Sequence, residues 1–576
     1  MKKNISAIIA LLLVICLLSA GCAAEKNSGD EQPGVTDIVA TENTADISEK
    51  NETPDTGNGA SGNEEAETAK PPVIDDSFRN WYEIFVYSFY DSDGNGCGDL
   101  NGVISKLDYV EKMGYTGIWF MPIHPSPSYH KYDVTDYYAI DPAYGTMEDF
   151  KKLVSEAHAR DIDIILDLVV NHTSSEHPWF KAACDEIRKN GQPSGEYAEY
   201  YNFINKYDSG YSKVTGTDWY YESRFYYGMP DLNLDSEKVR DEIKNIMQYW
   251  FDLGVDGFRL DACTSFYTGS VDRNVEFLNW LSTTAHGMKE DCFLVGEAWE
   301  NADSLIRRYY DSGLDSFFIF PSATGEGEIV KVLSFTAKNC GLKYNELLLL
   351  LQSIYDIGIR SMFLGNHDTA RAANFLRRSM PARVKMGAGL LAMMPGAVFT
   401  YYGEEIGMIG KDSDPEKRIA MLWDTFGGEV YCTRSPEGID VNADSYVFPS
   451  VADQEKDEDS ILNYYRAAMR LRNENPEIAR GTVSVLNGSD GVTAGDQVSV
   501  TKRSWNGSDI IVVINLNSTD AETVKIDKSV FGDISKCGEL LSYRGVVFET
   551  GSREEIIADE AAGTYTLPAF SIMILR

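Results

Sequence analysis

Positive charge is scarce in this chain: 52 Lys and Arg stand against 89 Asp and Glu, a formal net charge of -37 with a sequence pI near 4.5. Proteins that grip nucleic acid present basic stripes to the phosphates, so no nucleic acid is expected as a partner, and an uncharged substrate fits better. Cysteine is sparse as well. Of nine, Cys16 and Cys22 lie near the start, and Cys97, Cys184, Cys263, Cys292, Cys340, Cys432 and Cys537 are widely scattered. An odd, dispersed set is no disulfide framework. Long apolar runs are missing too: the stretch from Ile8 to Leu18 is too short to span a bilayer. Between positions 23 and 75 there are almost no aromatics. Such a segment, rich in Glu, Asp, Thr, Asn, Gly and Ser, buries too little surface to offset chain entropy and reads as a disordered acidic linker.

What is present begins with an address. Lys2 and Lys3 precede the apolar run, giving the form of a signal peptide over residues 1–22. It ends Leu18-Ser19-Ala20-Gly21-Cys22, and small residues directly before a Cys resemble a bacterial lipobox, with Cys22 as the lipidated first residue of the mature chain. An ordinary signal peptide with an incidental Cys is the alternative, because Ser19 stands where Leu is usual. The lipobox reading places the protein outside the cytoplasm, lipid-anchored at the bacterial membrane or cell surface.

After Pro71-Pro72 the composition turns aromatic and β-branched. Eight strand-like runs follow: Trp81 to Phe89, Thr116 to Met121, Ile162 to Val170, Val255 to Asp261, Phe293 to Glu297, Ser316 to Phe320, Ser361 to Leu364 and Ala397 to Tyr402. Helix-like periodic segments lie between them, such as Gly102 to Met113, Met147 to Arg160, Glu237 to Leu253 and Ala302 to Asp311. Eight βα units favour an α/β fold of the TIM-barrel type, whose reactive groups sit at the carboxyl ends of the strands. A doubly wound open sheet is the alternative, though no glycine-rich phosphate fingerprint follows the first strand. Roughly eighty residues separate the third strand from the fourth, too many for an idle loop. The chain therefore divides into a first part of the barrel at 76–172, an inserted subdomain at 173–236, a second part of the barrel at 237–480, and an all-β C-terminal domain, a sandwich, at 481–576.

Several stretches carry chemistry. The first strand runs into Asp91-Ser92-Asp93-Gly94-Asn95-Gly96-Cys97-Gly98-Asp99. Oxygen ligands at Asp91, Asp93, Asn95, Cys97 through its carbonyl, and Asp99, with Gly96 at the sixth place, match the opening of an EF-hand loop and predict structural Ca²⁺. Gly102 stands where a bidentate Glu would complete it; a metal-free turn is the plain alternative. After the second strand, Ser128 to Tyr138 is dense in aromatics, which suits either a packing cap or a sugar-binding loop. In Val255 to Ser265, Arg259 and Asp261 are two apart on a strand and point the same way. A cation beside a carboxylate keeps it ionised and oriented, as a nucleophile requires, although a plain ion pair would look the same.

Taken together, Asp167 to His172, Gly257 to Asp261, Gly296-Glu297 and Phe363 to Asp368 resemble the four sequence regions shared by the α-amylase family of glycoside hydrolases (family 13). Met229-Pro230-Asp231-Leu232-Asn233 resembles that family's motif near the end of its inserted domain, and Tyr401 to Met408 its eighth-strand segment. The resemblance implies Asp261 as nucleophile, Glu297 as general acid and base, and Asp368 as the carboxylate that holds substrate hydroxyls. It further implies that Arg259 keeps Asp261 ionised, that His172 and His367 bind sugar hydroxyls, and that Tyr132 stacks beneath the ring. Retaining hydrolysis needs such a pair of carboxyl groups with different affinities for a proton.

The sequence also departs from the family. In many α-amylases the nucleophile is followed by Ala-x-Lys-His; here the residues are Ala262-Cys263-Thr264-Ser265. The motif at Met229 to Asn233 and the loop at Asp91 to Asp99 point to the branch intermediate between α-amylases and oligo-1,6-glucosidases, where a small residue after the nucleophile goes with α-1,4 linkages. The expected activity is that of a monomeric α-amylase cleaving α-1,4 bonds of starch and maltooligosaccharides. The alternatives are an α-glucosidase, a neopullulanase-like hydrolase or a transglycosylase on short oligosaccharides, and, in another class, a non-catalytic glucan-binding surface protein.

Overall fold

The computed structural model describes residues 73–576 apart from 334–337, 354–356, 377–379, 437, 532–539, 543–544, 547–552, 555 and 560. The signal peptide, Cys22, almost all of the acidic linker, and Cys537 lie outside the described residues. Eight parallel strands close into a barrel: β1 (Asn80–Ile84), β2 (Gly117–Phe120), β3 (Asp163–Leu168), β4 (Gly257–Leu260), β5 (Phe293–Gly296), β6 (Ser316–Phe318), β7 (Ile359–Phe363) and β8 (Ala397–Tyr401). Each pairs with its sequence neighbours, and β8 returns to β1. The TIM barrel expected from the alternation of strand and helix patterns is therefore the fold.

Alternation along each strand decides what fills the barrel. Side chains on a strand point to opposite faces in turn, so every second residue faces the axis. Trp81, Trp119, Ile165, Phe293, Val295, Phe318, Phe363 and Phe399 form one buried cluster inside, separate from the larger shell between strands and helices. Trp81 stacks on Phe293 with centroids 5.2 Å apart and lies 5.8 Å from Phe399. Gly117 makes room for this indole: a Cβ there would sit 2.4 Å from the Trp81 ring. One step further along the same inward series come Glu83 after Trp81, Asp167 after Ile165, Arg259 and then Asp261 after Gly257, and Glu297 after Val295. An aromatic plug thus carries a polar layer on its carboxyl-end face.

Two elements depart from the sequence pattern. The first strand ends at Ile84 and gives way to a 3-10 turn at Val86–Ser88, because a continuous apolar run does not distinguish a buried strand from a buried turn. The helix expected over Gly102 to Met113 is two helices, Leu100–Ser105 and Leu107–Lys112, broken at Lys106, whose φ and ψ are -110° and 4°. The other three expected helices occur as Met147–His158, Glu237–Asp252 and Asp303–Tyr310.

Between β3 and β4 lie a helix, Pro178–Asn190, and a three-stranded antiparallel sheet of Phe203–Ile204, Tyr220–Glu222 and Tyr211–Lys213. The segment Met229 to Asn233 stitches this insertion to the end of β3: Leu232 N–H donates to the Asn171 carbonyl at 2.9 Å, and Thr173 N–H to the Pro230 carbonyl at 3.1 Å. C-terminal to the barrel, a five-stranded and a four-stranded sheet enclose their own core of Val498, Val500, Val513, Val524, Leu567 and Met573. The larger sheet docks on the barrel helix Cys340–Gln352, where Ser499 Oγ donates to Asn345 Oδ1 at 2.6 Å. At the same contact a Cβ on Gly341 would lie 2.2 Å from the Val498 backbone. The described cysteines, Cys97, Cys184, Cys263, Cys292, Cys340 and Cys432, are all buried free thiols. No helix among the described residues is long and apolar enough to cross a membrane.

Candidate active site

Strand register brings the polar layer together. Asp167 on β3 is the pairing partner of Arg259 on β4, and Leu260 is the partner of Gly296 on β5. The next residues, Asp261 and Glu297, therefore leave adjacent strands side by side. Arg259, wholly buried, is their common partner: Nη1 donates to Asp167 at 2.8 and 3.0 Å and to Asp261 Oδ1 at 2.7 Å, while Nη2 lies 3.0 Å from Glu297 Oε2. The sequence pattern suggested one pair, Arg259 with Asp261; barrel closure makes it a cluster of three carboxyl groups around one guanidinium. The Trp119 ring, 5.2 Å from the guanidinium carbon, backs it from within the barrel.

Glu297 Oε2 also accepts the Ala262 N–H at 3.1 Å, whereas its Oε1 is buried without a hydrogen-bond partner. Burial pushes the Glu297 carboxyl up to about 7; Arg259 works against this, and Asp261 and Asp368 reinforce it. Ala262 holds a left-handed backbone, with φ at 50°. A β-branched side chain would be strained there, so the chain geometry itself favours the small residue after Asp261.

Asp368 follows β7 in a turn where Asn366 Oδ1 accepts the Asp368 N–H at 3.0 Å. Its carboxylate is held by Arg418 Nη2 at 2.8 Å and by His367 Nε2 at 3.0 Å. Burial opposes its charge, but His367 and Arg418 outweigh burial and hold this carboxyl well below the usual carboxylate range. His367 is itself gripped from the other side by Glu83 through Nδ1 at 2.5 Å. Burial alone would discharge the imidazole; the carboxylates of Asp368 and Glu83 raise it to about 9 instead, so it is a cation at neutral pH.

Tyr132 ties the two halves together. Its hydroxyl donates to Asp167 Oδ2 at 3.0 Å and lies 2.6 Å from His367 Nε2, and its ring stacks on His367 at 5.5 Å. His172, also buried, leaves Nε2 without a partner, and its ring lies 5.4 Å from the half-exposed Phe225 of the insertion. Trp299, two residues past Glu297 and 48% exposed, stacks on Phe320 at 4.5 Å. Partly exposed rings beside a cluster of hydrogen-bonding groups suit a pyranose, which is apolar on its faces and polar at its edge.

Glu83, Asp167 and Arg418 were not singled out from the sequence. A lone Glu inside the apolar run of β1 was the available signal for Glu83, and Asp167 opened a motif already noted; nothing around Arg418 marks it.

A family description, alpha amylase catalytic domain, matches residues 83–481. The chain belongs to the α-amylase family. Over 452 residues it is 37% identical to alpha-amylase 3 of Dictyoglomus thermophilum, covering 76% of this chain and 84% of that protein. It is 30% identical to an oligo-1,6-glucosidase of Heyndrickxia coagulans, covering 70% and 86% respectively. The structure of Eubacterium rectale Amy13B superposes with a TM-score of 0.78 at 39% identity, covering 88% of this chain and 96% of that one. This α-amylase-family chain is a glycoside hydrolase acting on glucan substrates.

The predicted calcium loop lies beside the barrel mouth, between β1 and the helix Leu100–Ser105. Asp91, Asp93 and Asp99 each offer a carboxylate oxygen within 4.8 Å of the others. Asp91 also accepts the N–H groups of Gly94 and Gly96 at 2.8 and 2.6 Å, which curls the loop inward. Convergent hard oxygen donors fit Ca²⁺. The missing Glu at the twelfth place has a steric reason, since a Cβ on Gly102 would lie 2.1 Å from the Tyr90 carbonyl oxygen.

Proposed function

We propose that this glycoside hydrolase is a retaining α-amylase that cleaves α-1,4-glucosidic bonds of starch and maltooligosaccharides. The observation that carries it is the guanidinium of Arg259 shared between Asp261 and Glu297. The two carboxyl groups are held within one guanidinium and two hydrogen bonds of each other, as double displacement needs. Asp261 attacks the anomeric carbon while Glu297, which burial keeps protonated up to about pH 7, gives its proton to the leaving oxygen. Glu297, now a carboxylate, then takes a proton from water as that water attacks the glycosyl ester on Asp261. Asp368 and His172 bind ring hydroxyls, His367, with both ring nitrogens engaged, positions Asp368, and Tyr132 forms the floor.

The α-1,4 preference is supported by Ala262 after the nucleophile and by the greater similarity to an alpha-amylase than to an oligo-1,6-glucosidase. The 30% identity to that oligo-1,6-glucosidase keeps action on short α-1,6-linked chains as the second reading. Chromatography of products from starch, pullulan, isomaltose and cyclodextrins separates them. A ladder of maltooligosaccharides from starch is expected, and release of glucose from isomaltose with starch untouched would overturn the reading. Asp261→Asn should lower turnover by orders of magnitude with the fold intact.

Asp91, Asp93 and Asp99, with Asn95 and the Cys97 carbonyl, would hold a structural Ca²⁺ that ties the loop after β1 together. The enzyme is proposed to be a monomer tethered outside the cell by lipid on Cys22, its acidic segment serving as spacer. Metabolic labelling with a radioactive fatty acid should mark the protein and fail to mark Cys22→Ala; equal labelling of both would remove the anchor.

A further inference from the structure

Glu83, on β1 and 1% exposed, meets the Nδ1 of His367 through Oε1 at 2.5 Å. A carboxylate only accepts, so Nδ1 carries a hydrogen. The other ring nitrogen, Nε2, lies 3.0 Å from Asp368 Oδ2 and 2.6 Å from the Tyr132 hydroxyl. Asp368 is held well below the usual carboxylate range and is an acceptor too, so Nε2 also carries a hydrogen. That decides the next link: Nε2–H donates to the Tyr132 oxygen, which frees the Tyr132 O–H to donate to Asp167 Oδ2 at 3.0 Å. Asp167 accepts Arg259 Nη1 on both oxygens, and the same Nη1 donates to Asp261 Oδ1 at 2.7 Å. A continuous line of hydrogen bonds thus runs from β1 through His367, Tyr132, Asp167 and Arg259 to the nucleophile.

The line holds its direction only while the imidazole has both hydrogens. With a single one, on the side of Glu83, Nε2 becomes an acceptor whose lone pair faces Asp368 Oδ2. The Tyr132 hydroxyl then turns to donate to Nε2 and withdraws its hydrogen from Asp167. Asp368 is left to Arg418 alone, and Asp167, which burial raises to about 7 against the pull of Arg259, loses a donor that favours its charge. Burial drives His367 toward that neutral state; Asp368 and Glu83 overcome it and raise the ring to about 9. The other neighbours offer no help. Trp119 presents an uncharged ring at 5.6 Å, and Arg418, whose Nε donates to the His367 carbonyl at 3.2 Å, and Arg259, beyond Tyr132, are themselves cations. Asp368 is the carboxylate that meets sugar hydroxyls, so Glu83 is the one that serves the imidazole throughout turnover.

We propose that Glu83 is a positioning residue: by keeping a hydrogen on each nitrogen of His367, it fixes the direction of the hydrogen bonds that hold Asp368 and Asp167 and, through Arg259, orient Asp261. The proposal rests on the roles proposed for Asp261 and Asp368, and it holds whichever linkage is cleaved. Glu83 itself touches no substrate atom in this scheme, and its effect passes entirely through the imidazole.

The test compares the full-length parent with Glu83→Gln and Glu83→Asp. Glutamine has the shape of glutamate and an oxygen to accept the Nδ1–H but brings no charge; aspartate keeps the charge on a shorter arm. Nitrogen-15 histidine spectra at pH 7.5, with the His367 signal identified by its loss in His367→Gln, should show both ring nitrogens protonated in the parent and in Glu83→Asp, and one in Glu83→Gln. On the glucan that the parent cleaves, Glu83→Gln should lose about tenfold or more in kcat/KM at pH 7.5 and about threefold or less at pH 5, where the ring regains its proton, with the loss in kcat and not in KM. Glu83→Asp should keep the alkaline limb of the parent at whatever rate it retains. Should Glu83→Gln not fold, Glu83→Asp and Glu83→Asn carry the same comparison. A neutral His367 in the parent overturns the proposal, and so does a rate lowered by one factor at both pH values, which is what lost packing alone would give. A parent inactive on every α-glucan would bring down the functional reading separately, with the spectra still deciding the charge on His367.

Discussion

Glu297→Gln should make the protein more stable, and by an amount that grows with pH. In the folded protein burial raises the Glu297 carboxyl from 4.5 to about 7. A folded-state value above the unfolded one means the native state holds a proton that the unfolded state has released, so stability falls as pH rises between the two values and stays lower beyond. At about 1.4 kcal/mol per unit, the shift corresponds to roughly 3 kcal/mol of native-state destabilisation above pH 7, and to a little under about 1 kcal/mol near pH 5. Glutamine has the same shape, cannot ionise, and keeps an oxygen to accept the Ala262 N–H and an Arg259 N–H. The gap in melting temperature over the parent should therefore be small near pH 5 and three to four times larger at pH 8.5, while turnover is lost. Calorimetry of both proteins at the two pH values checks this. A difference that stays constant between pH 5 and pH 8.5, or a variant weaker than the parent at both, would refute the claim that Glu297 retains its proton. The same proton predicts that kcat/KM of the parent falls on the alkaline side of about pH 7.

Chelation after exhaustive purification should lower the melting temperature by several degrees, through loss of ligand binding to the native state. Asp93, the exposed member of the acidic cluster, allows a clean control: Asp93→Ala should abolish the rise in melting temperature on adding Ca²⁺ and leave the chelated protein as stable as the parent. A parent insensitive to chelator would remove the metal from this loop. Trp299→Ala should raise KM for maltooligosaccharides roughly threefold to tenfold, the worth of one stacking contact at 0.5–1.5 kcal/mol, with little change in melting temperature because the indole is half exposed. An unchanged KM would take the ring out of the sugar path.

The strands of the barrel were legible because each is a short apolar run, and where a polar residue closes one, as at Asp261 and Glu297, that residue belongs to the site. Asp261 and Glu297 could be named from spacing and motif, since each is one step beyond a strand's last paired residue. Glu83 could not: its role depends on His367, 284 positions away, which only barrel closure brings within 2.5 Å. The same holds for Arg418, whose partner Asp368 lies fifty residues earlier on another loop. The overlong first strand and the fused helix at Gly102 to Met113 show the complementary limit. Apolar periodicity reports burial, and a 3-10 turn or a single non-helical residue such as Lys106 changes the path without changing what is buried.

The charge inventory of the mouth adds to burial in raising two carboxyl groups there, Glu297 and Asp167. Five carboxyl groups, Glu83, Asp167, Asp261, Glu297 and Asp368, share three cations, Arg259, Arg418 and the His367 imidazolium. Arg418 and His367 serve Asp368, and Glu83 holds the other side of the imidazole, so Arg259 alone faces the remaining three. One guanidinium gives Asp167 two hydrogen bonds and Asp261 another, and meets Glu297 at 3.0 Å, where the second carboxyl oxygen is buried and unpartnered. Burial is the first cause of the raised Glu297 carboxyl, and of Asp167, each pushed up to about 7; the shortage of positive charge adds to it. That shortage has a second consequence. The transition state of glycosidic cleavage develops oxocarbenium character, and a pocket with more carboxylates than cations favours that positive charge over the neutral sugar that entered.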